Sequence, residues 1–334
     1  MSQTGYISSL MKKAARREGA WRHAVYPILA TPFRPGSESV DTDALRASVN
    51  FMARAGCTGV TVCGVLGEAN RILDSERADI IRATVEAAAP FDLQVCVGTS
   101  HPGTYATAQL SMMAQELGAA SVMVTPSREA APLSQGKLVE YFGRVGDAIE
   151  IDMVLQDHPS STQVHMDIDT VATICREVPQ IRAIKLESLP TPPRAAALRE
   201  LLDAHPATSE RVAILVGLGA LYSFFDLETG AVDGFMTGWA FPELLMAMLA
   251  AQERDDLDLA FDLYRKWLPL IVFEQQPGVA VRKEILGLRG LMGEGVVRHP
   301  GGAISQAQQE AVRRVVGRVV GASTDVTRPL GEWR

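Results

Sequence analysis

One pattern limits what this chain can fold into more than any other. Short apolar runs rich in β-branched residues alternate with longer amphipathic stretches, over most of the sequence. The runs fall at residues 25–31, 59–63, 93–98, 121–125, 151–156, 181–188, 212–217 and 234–238. Their spacing is roughly 20 to 35 residues, which suits a strand, a crossover helix and the next parallel strand. The helical stretches carry start and stop signals. Asp41 caps a helix running to Ala55 that Gly56 ends, Asp74 caps the next, and Gly118 closes the third. Eight such units without a long linker predict an α/β fold, a (β/α)8 TIM barrel with additional C-terminal helices. An open doubly wound sheet is the runner-up, but a GxGxxG turn does not follow the first strand. The expected organisation is an N-terminal extension at 1–22, the barrel at 23–240, helices packed on its side at 241–322, and a loose polar tail at 323–334.

Composition narrows the function classes. The chain has 334 residues, 47% hydrophobic and 21% charged, which is enough apolar material for one large core. A net charge of -7 argues against nucleic acid as the main ligand. Cys57, Cys63, Cys96 and Cys175 lie inside apolar segments without CxxC pairing, so they read as core residues in a reducing compartment. A run of about 18 apolar residues is absent, and the basic N-terminus lacks the apolar core of a secretory signal. A cytoplasmic protein without membrane contact is expected.

Barrel enzymes place their chemistry at the C-terminal ends of the strands. The run 181–188 puts Ile184 and Leu186 on one face and Ala183, Lys185 and Glu187 on the other. If helices cover the first face, Lys185 and Glu187 look into the barrel mouth. Burial there favours the neutral, nucleophilic amine that forms Schiff bases. The bland alternative is a strand-end lysine reaching solvent or pairing with Glu187. Other strand ends offer Thr31, the turn Gly64-Val65-Leu66-Gly67-Glu68, Thr99, Thr125, Gln156-Asp157-His158, Gly217 and Thr237-Gly238. Two glycines in the turn let backbone N–H groups approach a carboxylate.

Several of these segments, in order, resemble the dihydrodipicolinate synthase / N-acetylneuraminate lyase family. They are Ala30-Thr31-Pro32-Phe33, the Gly64–Glu68 turn, Thr125-Pro126, Ala183-Ile184-Lys185 and Gly234-Phe235-Met236-Thr237. The resemblance covers residues 24 to 320 and implies a tetrameric barrel whose lysine forms an imine with pyruvate or another 2-oxo acid. By it, Lys185 is the nucleophile, and the backbone of Val65 and Leu66 holds the substrate carboxylate. Departures are informative. Val65 and Leu66 replace two hydroxyl residues of the family turn, and Gln156-Asp157-His158-Pro159 replaces a Tyr-Asn-x-Pro motif whose tyrosine relays protons. An amide cannot do that. One branch, the 2-keto-3-deoxy-L-arabonate dehydratases, is similar at Leu155-Gln156-Asp157-His158-Pro159, Lys185-Leu186-Glu187 and Phe241-Pro242.

The expected activity is therefore a Schiff-base lyase, a dehydratase of a 2-keto-3-deoxy sugar acid. Its catalytic residues are expected to be Lys185, Gln156 and Glu187, with Glu68 a second acid/base candidate. Thr31, Gly64, Val65, Leu66, Asp157, His158, Met236 and Thr237 are expected to bind substrate. The covalent imine on Lys185 requires neither metal nor organic cofactor. Three rivals remain at this level: a pyruvate-dependent aldolase or synthase, a metal-dependent aldolase using Asp157, His158, Glu187 and Glu68, and a non-catalytic keto-acid binder. A small-molecule 2-oxo acid is the expected partner, in a homo-oligomer, with Arg128 at the rim able to pair a distal carboxylate.

Overall fold

The computed structural model describes residues 21–129, 131–275 and 279–329. The expected 1–22 extension lies almost wholly outside them. Eight strands run in parallel: β1 Ala24–Pro27, β2 Gly59–Val62, β3 Gln94–Gly98, β4 Ser121–Val124, β5 Asp152–Asp157, β6 Ile181–Leu186, β7 Ala213–Val216 and β8 Gly234–Thr237. Each pairs with its sequence neighbour from β2 to β8, and β1 pairs with β8. A single parallel bridge from Ile28 to Thr61, with Leu29 N–H donating to Thr61 O at 2.8 Å, joins β1 to β2 and closes the barrel. All eight expected runs form strands.

Alternation along the strands sorts side chains into two cores. Tyr26, Ile28, Cys96, Met123, Val154, Ala183, Leu215 and Met236 fill the barrel interior. Val25, Val60, Val62, Val97, Val122, Leu155, Ile184 and Leu186 point outward, under the helices. Those helices are α1 Thr42–Ala55, α2 Asp74–Ala88, α3 Thr104–Glu116, α4 Gln135–Gly146, α5 Ile168–Glu177, α6 Thr191–Asp203, α7 Ser223–Glu228 and α8 Pro242–Gln252. Asp41 caps α1 by accepting from Ala44 N–H at 3.2 Å, and Gly56 ends it in the left-handed region at φ 88°. The cap of α2 falls one residue earlier than expected. Asp74 occupies the first turn, and the Glu76 carboxylate accepts from Leu73 N–H at 2.9 Å. A carboxylate in the first turn also suits the helix dipole.

Helix α8 is apolar all round and packs on β1, α1 and the following helix, α9 (Leu257–Glu274). It is thus the eighth barrel helix, and the added part begins at α9 rather than at residue 241. Helices α10 Val279–Leu288 and α11 Gln306–Val320 complete the chain. The tail is not loose where it is described. Val326 packs on the core, and the backbone carbonyls of Val326 and Arg328 accept from Arg289 at 3.2 and 3.5 Å. Burying that guanidinium requires acceptors, and the tail supplies two of them. Among the described residues no helix is long and apolar enough to cross a membrane. The four cysteines are buried and unpaired.

Candidate active site

β6 delivers its lysine to the mouth of the barrel. Lys185 stands in register with Gln156 of β5 and Leu215 of β7, and it is only 4% exposed. An isolated ammonium at such a position would cost several kcal/mol. Its partner is Glu187, one turn of the pleat further on, with Lys185 Nζ 3.2 Å from Glu187 Oε2. The same oxygen accepts from Gln156 Nε2 at 2.7 Å, and Oε1 accepts from Leu218 N–H at 3.2 Å. Burial by itself pushes the Glu187 carboxyl upward. The charge of Lys185, then His158, the Gln156 amide and the Leu218 N–H outweigh it and hold the group below the ordinary carboxylate range. Glu187 is therefore an anion with three donors directed at it. Gln156 touches it without titrating itself.

His158 enters the same cavity from the end of β5. Burial lowers its pKa, helped by the charge of Lys185 and opposed by Glu187, so near neutral pH the imidazole is uncharged. Its Nδ1 is buried with no hydrogen-bond partner among the described residues. A cavity of about 200 Å³ is lined by Lys185, Glu187, Gln156, His158, Val65, Leu66 and Thr237, together with Glu274, Gln275 and Arg282. A second cavity of about 640 Å³ shares Val65, Leu66 and Gln156 with it and adds Gly64, Arg71, Arg77, Ser100 and Thr125. The two form one cleft over the C-terminal ends of the strands.

The turn after β2 is a single 3-10 turn, Val65–Gly67. Its first two N–H groups, of Val65 and Leu66, have no partner within the turn, as at any helix start. Gly64 admits close approach, since Ile28 and Met123 stand 3.2 and 3.3 Å from where its Cβ would be. Neighbouring side chains anchor the turn. Thr31 Oγ1 donates to Gly67 O at 2.6 Å, and Glu68 pairs with Lys283 at 2.5 Å and Arg71 at 2.8 Å. Thr31 and Glu68 hold the turn in place; Glu68 lines the larger part of the cleft, and neither lines the part that contains Lys185.

Strand parity separates two further expected site residues from the cleft. Gln156 and His158 point inward, so Asp157 between them points out, and Arg194 Nη2 meets its Oδ2 at 3.3 Å. Burial raises the Asp157 carboxyl to about 6, despite the charge of Arg194. Met236 lies one layer down, inside the barrel core. The four ligands of the metal-dependent rival are thus not brought together, and no group of three His, Cys, Asp or Glu side chains suited to a metal occurs among the described residues. Arg128 is exposed on the loop after β4. Sequence reading missed Glu274, Gln275 and Arg282, which the C-terminal helices bring to the cavity wall. The pair of cations, Arg282-Lys283, inside the apolar run starting at Val279 was the available signal.

Comparison with known proteins agrees with this geometry. The chain is 33% identical over 287 residues to the L-2-keto-3-deoxyarabonate dehydratase of Azospirillum brasilense, covering 84% of this chain and 89% of that protein. It is 29% identical over 302 residues to the 4-hydroxy-tetrahydrodipicolinate synthase of Acidobacterium capsulatum, covering 87% and 93% respectively. The crystal structure of dihydrodipicolinate synthase from Rhodopseudomonas palustris matches with a TM-score of 0.82 at 31% identity, over 88% of this chain and 97% of that one. A model of the dihydrodipicolinate synthetase family matches residues 22–318, and with these relatives it establishes that the chain belongs to that family.

Proposed function

We propose that this protein is a Schiff-base lyase that removes water from a 2-keto-3-deoxy sugar acid. The observation that carries the reading is the Lys185–Glu187 pair, buried at 3.2 Å in the barrel mouth. Lys185 must shed a proton before its nitrogen attacks the C2 carbonyl, and Glu187 Oε2 is placed to take it and return it as the carbinolamine loses water. The resulting iminium draws electrons from C3. Removal of a C3 proton gives an enamine, whose electrons expel the C4 hydroxyl as water. Hydrolysis then frees Lys185 with the carbon chain intact. His158, neutral and with an open Nδ1, is the group we assign to the proton transfers on the substrate carbons. No organic cofactor is needed, because the iminium itself is the electron sink. The similarity to a 2-keto-3-deoxyarabonate dehydratase supports this choice of reaction over carbon–carbon cleavage.

The test is incubation with pyruvate and borohydride, followed by intact-mass and peptide mapping. A reduced adduct confined to the peptide bearing Lys185 is expected, and Lys185→Ala should lose both adduct and turnover, the latter on the order of 10⁴-fold or more. Turnover that survives this substitution removes the reading. Product analysis distinguishes the two chemistries, since water loss conserves the carbon chain and aldol cleavage releases pyruvate. A homotetramer, implied by the family resemblance, belongs to the same proposal and is checked by light scattering.

A further inference from the structure

Arg282 is a cation of the Lys185 cavity that none of the steps above uses. It extends from α10 into the cavity wall and is 2% exposed. Its Nε meets the carboxylate of Glu274, which is wholly buried and also accepts from Ala240 N–H at 3.3 Å. That pairing balances its charge and fixes its orientation. Nη1 is different: it is buried and has no partner among the described residues. Unbonded buried donors are rare, and one on a charged group at a cavity wall points to a ligand.

Its position says which part of the ligand. A methyl group on Gly238, at the end of β8, would overlap the side chain of Leu66 and come within 2.7 Å of Arg282 Nη1. Nη1 therefore stands beside Leu66, whose N–H is one of the two open donors of the Val65–Gly67 turn. The side chains of that turn are apolar and donate nothing. Glu187 and Glu274 both stand on the cavity walls and are already engaged, by Lys185 and by Arg282 Nε. Of the two cations that line the cavity, Lys185 and Arg282, it is Arg282 whose buried donor has no partner among the described residues and can meet an incoming carboxylate. Resting on the lyase reading above, we infer that Arg282 Nη1 joins the N–H groups of Val65 and Leu66 to bind the C1 carboxylate of the 2-oxo acid. Arg282 supplies a charge-assisted donor, and the turn supplies the direction.

Two ligands test this without relying on the imine alone. Lactate carries the carboxylate but no carbonyl, so its binding, measured by calorimetry, reads the subsite independently of Lys185. Pyruvamide keeps the carbonyl but lacks the charge, so the ratio of pyruvate to pyruvamide trapped by borohydride reads the same subsite during chemistry. Glu274→Gln alone measures what the partner of Nε contributes and sets the baseline for lactate affinity and trapping ratio. Glu274→Gln combined with Arg282→Gln, which leaves no lone buried charge, should lower both by about 10- to 100-fold. Should that pair fail to fold by circular dichroism, Arg282→Lys keeps the charge opposite Glu274 but removes the second nitrogen, and should weaken lactate by about 10-fold. The assignment is overturned if lactate does not bind the unaltered protein, or if removing the guanidinium leaves lactate affinity and trapping ratio unchanged. Lactate binding that depends on Arg282, with no borohydride adduct, would support the subsite and defeat the imine instead.

Discussion

Glu187 shows how much one side chain can settle here. It receives Lys185, Gln156 and Leu218 N–H together, so it is both the counter-charge that allows a buried lysine and the nearest acceptor for that lysine's proton. Replacing it with glutamine keeps the shape and removes the base. Imine formation with pyruvate should slow by about 100-fold, in the range of general acid–base contributions. Gln156→Leu removes only one of the three donors, so its loss should be nearer tenfold; rapid-quench trapping measures both. If the two substitutions cost the same, Glu187 acts only as a neighbour of Gln156. Asp226, 2% exposed in α7, makes a separate prediction about stability. Burial pushes its carboxyl up to about 7, from an ordinary value of 3.8. The folded state then holds the proton more tightly than the unfolded state, so stability falls as pH rises from about 4 to about 7, by up to roughly 4 kcal/mol. Asp226→Asn should be more stable than the parent at pH 8 and equal to it near pH 4. Thermal melts across that range that stay parallel would show that the group is not strained.

At the scale of elements, the segment after β7 carries the most constraint. Leu218, Gly219 and Ala220 all take left-handed backbone angles, with φ of 53°, 61° and 68°. For the two non-glycine residues this costs on the order of 1–3 kcal/mol each. Three hydrogen bonds tie the segment to other elements: Leu218 N–H to Glu187, Gly219 N–H to Thr237 Oγ1 at 2.8 Å, and Gln275 Nε2 to Gly219 O at 3.1 Å. Just before it, Gly217 leaves the space that Glu187 fills, because a methyl group there would overlap the carboxylate. Gly217→Ala should therefore slow imine formation about as much as Glu187→Gln does, while α6 and α7 keep their helical signal by circular dichroism. A variant with normal rates would mean that Glu187 is free to work from another position. Little of this segment was legible in the sequence. The strand 212–217 was, as were the other seven, because period-two apolar runs and helix caps such as Asp41 and Gly56 are local signals. Lys185 and Glu187 on one inward face followed from the same alternation. That rule also places Asp157 outward between Gln156 and His158, against its expected role in binding. Arg282 and Gln275 reach the cavity by tertiary packing of α9 and α10, which no periodicity in the chain encodes.

At the scale of the whole molecule, the question is what keeps the added helices fixed to a barrel whose cavity they help to wall. Arg289 is 1% exposed, and it connects parts that are far apart in sequence. It pairs with Glu243 of α8 at 2.5 and 3.2 Å and donates to Ala240 O at 2.5 Å, just beyond β8. Its guanidinium lies between the rings of Phe51 in α1 and Phe241, at 4.4 and 4.3 Å. Tail carbonyls at Val326 and Arg328 complete its shell. One side chain thus joins the first barrel helix, the last strand, the eighth helix and the tail, close to α10, which presents Arg282. Buried ion pairs contribute little net stability compared with apolar replacements, but removing one partner strands the other. Arg289→Met should therefore destabilise the protein by about 3–5 kcal/mol. Adding Glu243→Leu to it should recover most of that loss, since no charge is then left alone. Denaturant unfolding measures both. The recovered protein should still lose affinity for lactate if Arg289 sets the position of α10, and should bind it normally if the network is only a staple. A double variant no more stable than Arg289→Met alone would place the energy in the stacked rings and tail carbonyls, not in the charge pair.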